Sequence, residues 1–120
     1  MAHRRATLEL YDATVLQYKS AVLSAFENVA DTLAALENDA QTLASAEVAS
    51  TAARTAFNET ASRHRLGALP ASAEQSSEQQ YLNAQLDTVR ATSRRMSDTA
   101  ALLQAMGELP ANTDQTIAKD

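Results

Sequence analysis

The sequence predicts an all-α fold, a long antiparallel helical hairpin of the coiled-coil type that self-associates. Three observations carry that expectation. The first is composition: 26 of the 120 residues are alanine, the strongest helix former, while Leu, Ile, Val and Phe together supply only 22. The second is the placement of the helix breakers. The two glycines and two prolines fall in two pairs, Gly67 with Pro70 and Gly107 with Pro110. The third is periodicity. From Leu8 the larger apolar side chains recur every three or four residues, as Leu8, Tyr11, Val15, Tyr18 and Val22, then Ala25 with Phe26, Val29, Leu33, Leu36, Ala40 and Leu43. Strands would alternate at period two and a helix in a globular core would show a broader stripe, so the narrow seam points to coiled-coil packing.

The chain up to Leu66 holds neither Gly nor Pro, and the first helix is expected over about residues 6–66. Between Ala44 and Ala61 its seam continues mainly in alanine, with Val48 and Phe57 as exceptions, so helices there can approach closely while burying little area. Leu66-Gly67 reads as a helix end, because glycine has no Cβ to clash in the left-handed C′ position. The turn is expected over 67–71. Ser72-Ala-Glu-Gln75 then has the Ser-x-x-Gln spacing of a capping box. A second helix is expected over about 72–106, with Leu82, Leu86, Val89, Met96, Ala100 and Leu103 in steps of four and three and Ser93 filling the gap, until Gly107 and Pro110 close it. Residues 1–110 form one hairpin on this reading, and 111–120 a flexible tail.

A short connection between long helices folds the chain about residue 68, so that facing residues have numbers adding to about 136. Met96 is then expected beside Ala40, Ala100 beside Leu36 and Leu103 beside Leu33, with Arg90, Arg94 and Arg95 near Glu47 and Asp39. The second helix runs out opposite residue 30. The stretch from Leu8 to Val29 is left with no partner in its own chain, and Val15, Tyr18, Val22, Phe26 and Val29 become the expected self-association surface, most simply in a two-fold dimer.

Chemistry finds little to work with. There is no cysteine, which excludes a disulfide framework, thiolate zinc sites, a cysteine nucleophile and a lipidated cysteine. His3 and His64 lie far apart, and the Glu27 and Asp31 pair reads as a solvated acidic face. Two glycines cannot build a phosphate-cradling loop, and no strand-turn-helix nucleophile elbow is present. No catalytic, cofactor-binding or metal-binding residue is expected, and no enzyme activity. A net charge of −5, a pI near 4.9 and the absence of Trp argue against a nucleic-acid partner. No apolar run approaches the ~20 residues of a membrane-spanning helix, and Met1 to Arg5 leads into polar sequence, so neither a signal peptide nor a membrane span is expected. At the turn, Arg63, His64 and Arg65 set positive charge beside the apolar Leu66, Ala68 and Leu69. The cations suit a helix C-terminus, and the leucines suit a docking surface.

At these residues the chain resembles the C-terminal portion of the TolC-like outer-membrane efflux factors, in particular the NodT-like lipoprotein branch. Tyr18-Lys-Ser-Ala-Val-Leu-Ser-Ala-Phe-Glu-Asn-Val-Ala-Asp-Thr-Leu-Ala-Ala-Leu36 resembles that family's descending periplasmic helix. Arg63-His-Arg-Leu-Gly67 is similar to the Arg-Tyr-x-x-Gly of its periplasmic tip, and Gln80-Tyr-Leu-Asn-Ala-Gln85 to the Leu-Leu-x-Ala-Gln of the returning helix. Arg95-Met-Ser-Asp-Thr-Ala-Ala-Leu-Leu-Gln-Ala-Met-Gly107 looks like its closing segment. The resemblance covers roughly residues 8–107. It implies a homotrimeric channel, an outer-membrane β-barrel continued by a periplasmic α-barrel whose tips meet the periplasmic adaptor of a tripartite efflux pump. This chain is then expected to be a fragment supplying one hairpin of that barrel, with Arg63, Arg65, Leu66, Gly67, Ala68 and Leu69 as the partner-docking tip, no cofactor, and an outer-membrane or periplasmic location. The alternative is a freestanding coiled-coil module that self-associates without transporting anything.

Overall fold

The computed structural model describes residues 1–108. It is all-α: α1 runs over Ala2–Arg65, α2 over Ala71–Gly107, and among the described residues there is no strand. The two helices form an antiparallel hairpin, as the breaker positions predict. α1 begins sooner than expected, and Pro110 and the expected tail at 111–120 lie outside the described residues.

The turn follows from Gly67. Its φ is +79°, with the Gly67 N–H donating to the His64 carbonyl at 2.9 Å and the Ala68 N–H donating to the Arg63 carbonyl at 2.9 Å. These are the paired bonds of a Schellman ending, which satisfy carbonyls that the helix would otherwise leave open. The chain then re-enters helix directly from Pro70, whose carbonyl accepts the Ala73 N–H at 3.1 Å. The expected capping box therefore does not open α2: Ser72 lies inside it, and Pro70, which has no N–H to satisfy, starts the first turn instead.

The chain divides into two compact units. A turn unit comprises Ala35–Asp98, and a terminal unit comprises Met1–Ala34 with the part of α2 from Thr99 onward. Within the turn unit, Phe57 stacks on Tyr81 with ring centroids 6.1 Å apart and planes 4° from parallel. The Thr88 hydroxyl lies 3.3 Å from the Ala46 carbonyl, and His64 Nε2 lies 3.5 Å from Glu74 Oε2. The numbers of these facing residues add to between 134 and 138, which is the predicted register. In the terminal unit, Asn28, Asp31 and Thr32 line a groove with Ala101, Gln104, Ala105 and Glu108 in the same register.

Burial corrects which residues face inward. On α1 in the turn unit the inward line runs Leu36, Asp39, Leu43, Ala46, Ser50, Ala53, Phe57, Thr60 and His64, in steps of three and four, with Ala35 and Ala61 half-buried beside it. Leu36 and Leu43 belong to the predicted seam, but Ala40 is exposed and Asp39 stands inward in its place. On α2 the covered line is Ser77, Tyr81, Ala84, Thr88, Ala91 and Asp98, continuing in the terminal unit as Leu102 and Ala105. The predicted α2 seam instead points away. Leu82, Leu86, Val89, Met96 and Leu103 are all between 45% and 69% exposed, and Ala100 is exposed too. Leu103 and Met96 therefore do not pack against Leu33 and Ala40 as expected. Small side chains win the contact because two backbones approach more closely over Ala, Ser and Thr than over Leu. Polar threonine is tolerated there because its hydroxyl donates to the carbonyl one turn back, as at Thr32, Thr60 and Thr88.

Nothing lies within 4 Å of where a Gly67 Cβ would sit, so the penalty for a side chain there is one of backbone conformation rather than a clash. Gly67→Val is expected to lower stability by about 1–2 kcal/mol through left-handed strain. A denaturant melt followed by circular dichroism measures this, and an unchanged midpoint would exclude a tight turn at this residue.

Candidate docking surfaces

Two surfaces were expected to meet partners, the tip and the apolar stripe of the first helix. At the tip Leu66 is 84% exposed, Gly67 and Ala68 are exposed, and Leu69 is half-buried. The cations beside them are tied down. Arg63 Nη2 donates to Glu59 Oε1 at 2.6 Å, one turn back on α1, which offsets its charge locally. Arg65 Nη2 reaches the Ser62 hydroxyl at 3.4 Å. His64 braces the turn from inside: its Nδ1 donates to the Leu69 carbonyl at 2.9 Å while Nε2 faces Glu74. The two contacts join the end of α1 to the turn and to the first turn of α2. The tip is thus a fixed backbone loop that presents one bare leucine.

The stripe of the first helix is divided by the fold. Tyr18 and Phe26 are each 59% exposed, and Leu8 and Tyr11 are similarly open. Val15, Val22 and Val29 are half-buried, and Ala25 between them is 7% exposed. The expectation that the whole stretch from Leu8 to Val29 lacks cover within its own chain therefore fails around Ala25. The self-association residues split into two kinds, three partly covered valines and two open aromatics.

A second line joins two residues of the expected seam, Phe26 and Leu33, to Leu16 and Leu23, which the sequence reading left out. Leu16, Leu23, Phe26 and Leu33 in the terminal unit are 66%, 61%, 59% and 52% exposed, and their steps of seven, three and seven place them along one face of α1. In the turn unit, the outward Leu82, Leu86, Val89 and Met96 form the corresponding line on α2. Each helix therefore carries a line that meets its partner in the hairpin and another that is left open among the described residues. The signal was present in the sequence as paired apolar neighbours, Val15-Leu16, Val22-Leu23 and Leu102-Leu103, in which one residue turns in and the next turns out.

Of the cross-hairpin charges, Arg94 acts on Asp39 as expected, while Arg90 forms a 3.9 Å ion pair along its own helix with Asp87. Among the described residues no group of three or more His, Cys, Asp or Glu side chains could hold a metal ion, and no helix is long and apolar enough to cross a membrane. No family model, curated protein or solved structure matches the chain.

Exposure separates the residues that build the hairpin from those free to recognise a partner. Phe57→Ala, which removes the stacked half-buried ring, should cost about 1–2 kcal/mol. Leu66→Ser, at an open position, should change stability by less than about 0.5 kcal/mol. Thermal melts of the two variants check this, and a Leu66→Ser variant as damaging as Phe57→Ala would mean that the tip leucine is structural.

Proposed function

We propose that this hairpin is one helical pair of the periplasmic α-barrel of an outer-membrane efflux channel, the conduit of a tripartite pump. One observation carries the reading: each helix has two packing lines, and the hairpin uses only one of them. In a ring of helices every member has two neighbours, so a second apolar line on Leu16, Leu23, Phe26 and Leu33, and another on Leu82, Leu86, Val89 and Met96, is what membership of a ring demands. The resemblance to the TolC-like family supports the same reading. Its tip motif, Arg63 to Gly67, falls at the turn, and its two helix motifs fall on α1 and α2. On this reading the partners are further copies of the chain in a trimer and a periplasmic adaptor at Leu66 and its neighbours, and the location is the outer membrane and periplasm. Transport through such a channel requires no bond chemistry from these residues. Its energy comes from the pump.

The alternative, a self-associating coiled coil without transport, uses the same outward lines. It is favoured by the polarity of the first turns of α2, where Ser72, Glu74, Gln75 and Ser77 to Gln80 offer a partner little apolar surface. Both readings require association through the open faces. Burying each large side chain there is worth roughly 1.5–3 kcal/mol, enough in sum to compete with the entropy of association.

Sedimentation equilibrium on the chain at tens of micromolar should therefore find an oligomer, and Leu23→Asp with Phe26→Asp should dissociate it while the turn unit stays helical. A chain that is monomeric and fully helical under those conditions would remove the basis for both readings. Stoichiometry separates them: a trimer, or binding to an efflux adaptor that Leu66→Ser weakens, favours the channel, whereas a two-fold dimer indifferent to that adaptor favours the freestanding coiled coil.

A further inference from the structure

The facing line of the turn unit is interrupted by a carboxyl group. Asp39 is only 4% exposed, and it occupies the step between Leu36 and Leu43 that a coiled coil ordinarily fills with an apolar side chain. Its Oδ2 is buried without a hydrogen-bond partner. Across the hairpin stands Asp98, half-buried on α2 and close enough for the two carboxyls to share a hydrogen bond. Two ionised carboxylates have no proton to share and repel one another, so Oδ2 remains an orphan for as long as both are charged. One added proton changes this. The O–H so formed donates to the remaining carboxylate, making a short charge-assisted bond between the helices.

The other groups around Asp39 allow this. On α2, Arg94 attracts its carboxylate, and Arg95 lies on the same side of the helix one turn before Asp98. On α1, the residues one turn away on either side, Ala35, Leu36, Thr42 and Leu43, carry no charge, and Glu37 is exposed. The balance of these influences holds the Asp39 carboxyl above the ordinary aspartate value. The hydrogen bond with Asp98 contributes most, then burial, then the Asp98 charge, against the pull of Arg94.

We infer that Asp39 and Asp98 form a proton-operated clasp: taking up one proton from water joins α1 to α2 through a carboxyl–carboxylate hydrogen bond, and releasing it loosens the hairpin at that level. The clasp concerns only the contact between the two helices, so it stands apart from the channel reading. Its sign runs against that of an ion-paired surface carboxylate. A folded-state value raised above the unfolded one gives stability that is fully present below the ordinary aspartate value of 3.8 and is lost as pH rises through the raised value. Mild acid tightens the hairpin, and neutral or alkaline solution loosens it.

The test compares thermal midpoints of the full chain, followed by circular dichroism, at neutral pH and at about pH 5. Asp39→Asn carries an amide that donates to Asp98 without needing a proton. It is expected to raise the neutral-pH midpoint by about 5 °C and to abolish the extra gain that the native chain shows on acidification. Asp98→Asn should act in the same direction, whereas Asp31→Asn, at an exposed carboxylate, should leave the acid response of the native chain intact. A carbon-13 titration of the Asp39 carboxyl gives a reading that needs no variant, with its midpoint expected above the ordinary value. The same acid response in the native chain and in Asp39→Asn, or an Asp39 carboxyl titrating at or below the ordinary value, would overturn the clasp.

Discussion

A hairpin gives each helix one neighbour, and most features of this chain follow from that constraint. One line per helix can be covered and no more. The buried apolar residues are accordingly small, Ala25, Ala91 and Ala105, and among the described residues no large side chain is fully enclosed. Leucines that a globular domain would hide stay open because, among the described residues, there is no third element to cover them. The stability of such a pair rests less on apolar area than on close backbone approach, on one aromatic stack and on the closure of the turn.

The sequence made the turn and the register legible and left the inward face ambiguous. Gly67 and Pro70 fixed where the chain reverses, and that alone predicts that Phe57 meets Tyr81 and that Ala46 meets Thr88 to within a residue or two. The orientation of α2 was not legible from hydrophobicity, because its most apolar line, Leu82, Leu86, Val89, Met96 and Leu103, is the line turned outward. An apolar seam announces that a face wants cover without saying by whom. On α2 the partner helix takes a face made mostly of Ala, Ser and Thr around Tyr81, since alanine and threonine let the backbones close in, and the line of larger residues is left for a neighbour that must reach it from outside. The capping box failed for a similarly local reason. Pro70 starts α2 by its fixed φ, which leaves Ser72 nothing to cap.

The two lines on each helix also divide the labour between folding and recognition. The inward line of α1 carries Phe57, Leu43 and Leu36, half-buried against α2, while the large residues of the outward lines stay exposed. Substitution of an outward leucine is thereby free to alter association without unfolding the chain, and the paired neighbours Val22-Leu23 show how closely the two roles sit. Adjacent residues on one helix point about 100° apart, so a single apolar dipeptide serves two partners. The same logic explains why the tip can be both rigid and exposed: the Schellman bonds and the His64 contacts satisfy the backbone from within, leaving Leu66 with no structural task.

A seam of alanine, serine and threonine has a weakness, which is that sliding one helix past the other by a heptad exchanges like for like. Specific pairs must therefore set the register. The Phe57 and Tyr81 rings do so near the turn, where a slide of seven residues would break their stack and face Phe57 with Thr88 or Glu74 and Tyr81 with His64 or Ser50. Asp39 does so further along. Asp98 shares its heptad position on α2 with Ala91 and Ala105, so a slide of seven residues in either direction would set a buried carboxyl against an alanine, with neither Asp98 to share a proton nor Arg94 in place to balance the charge. A buried polar group of this kind costs stability in the correct register and far more in a wrong one. That difference is a physical reason for an aspartate to stand where leucine would pack better, and it makes the acid sensitivity of the pair a consequence of the same choice.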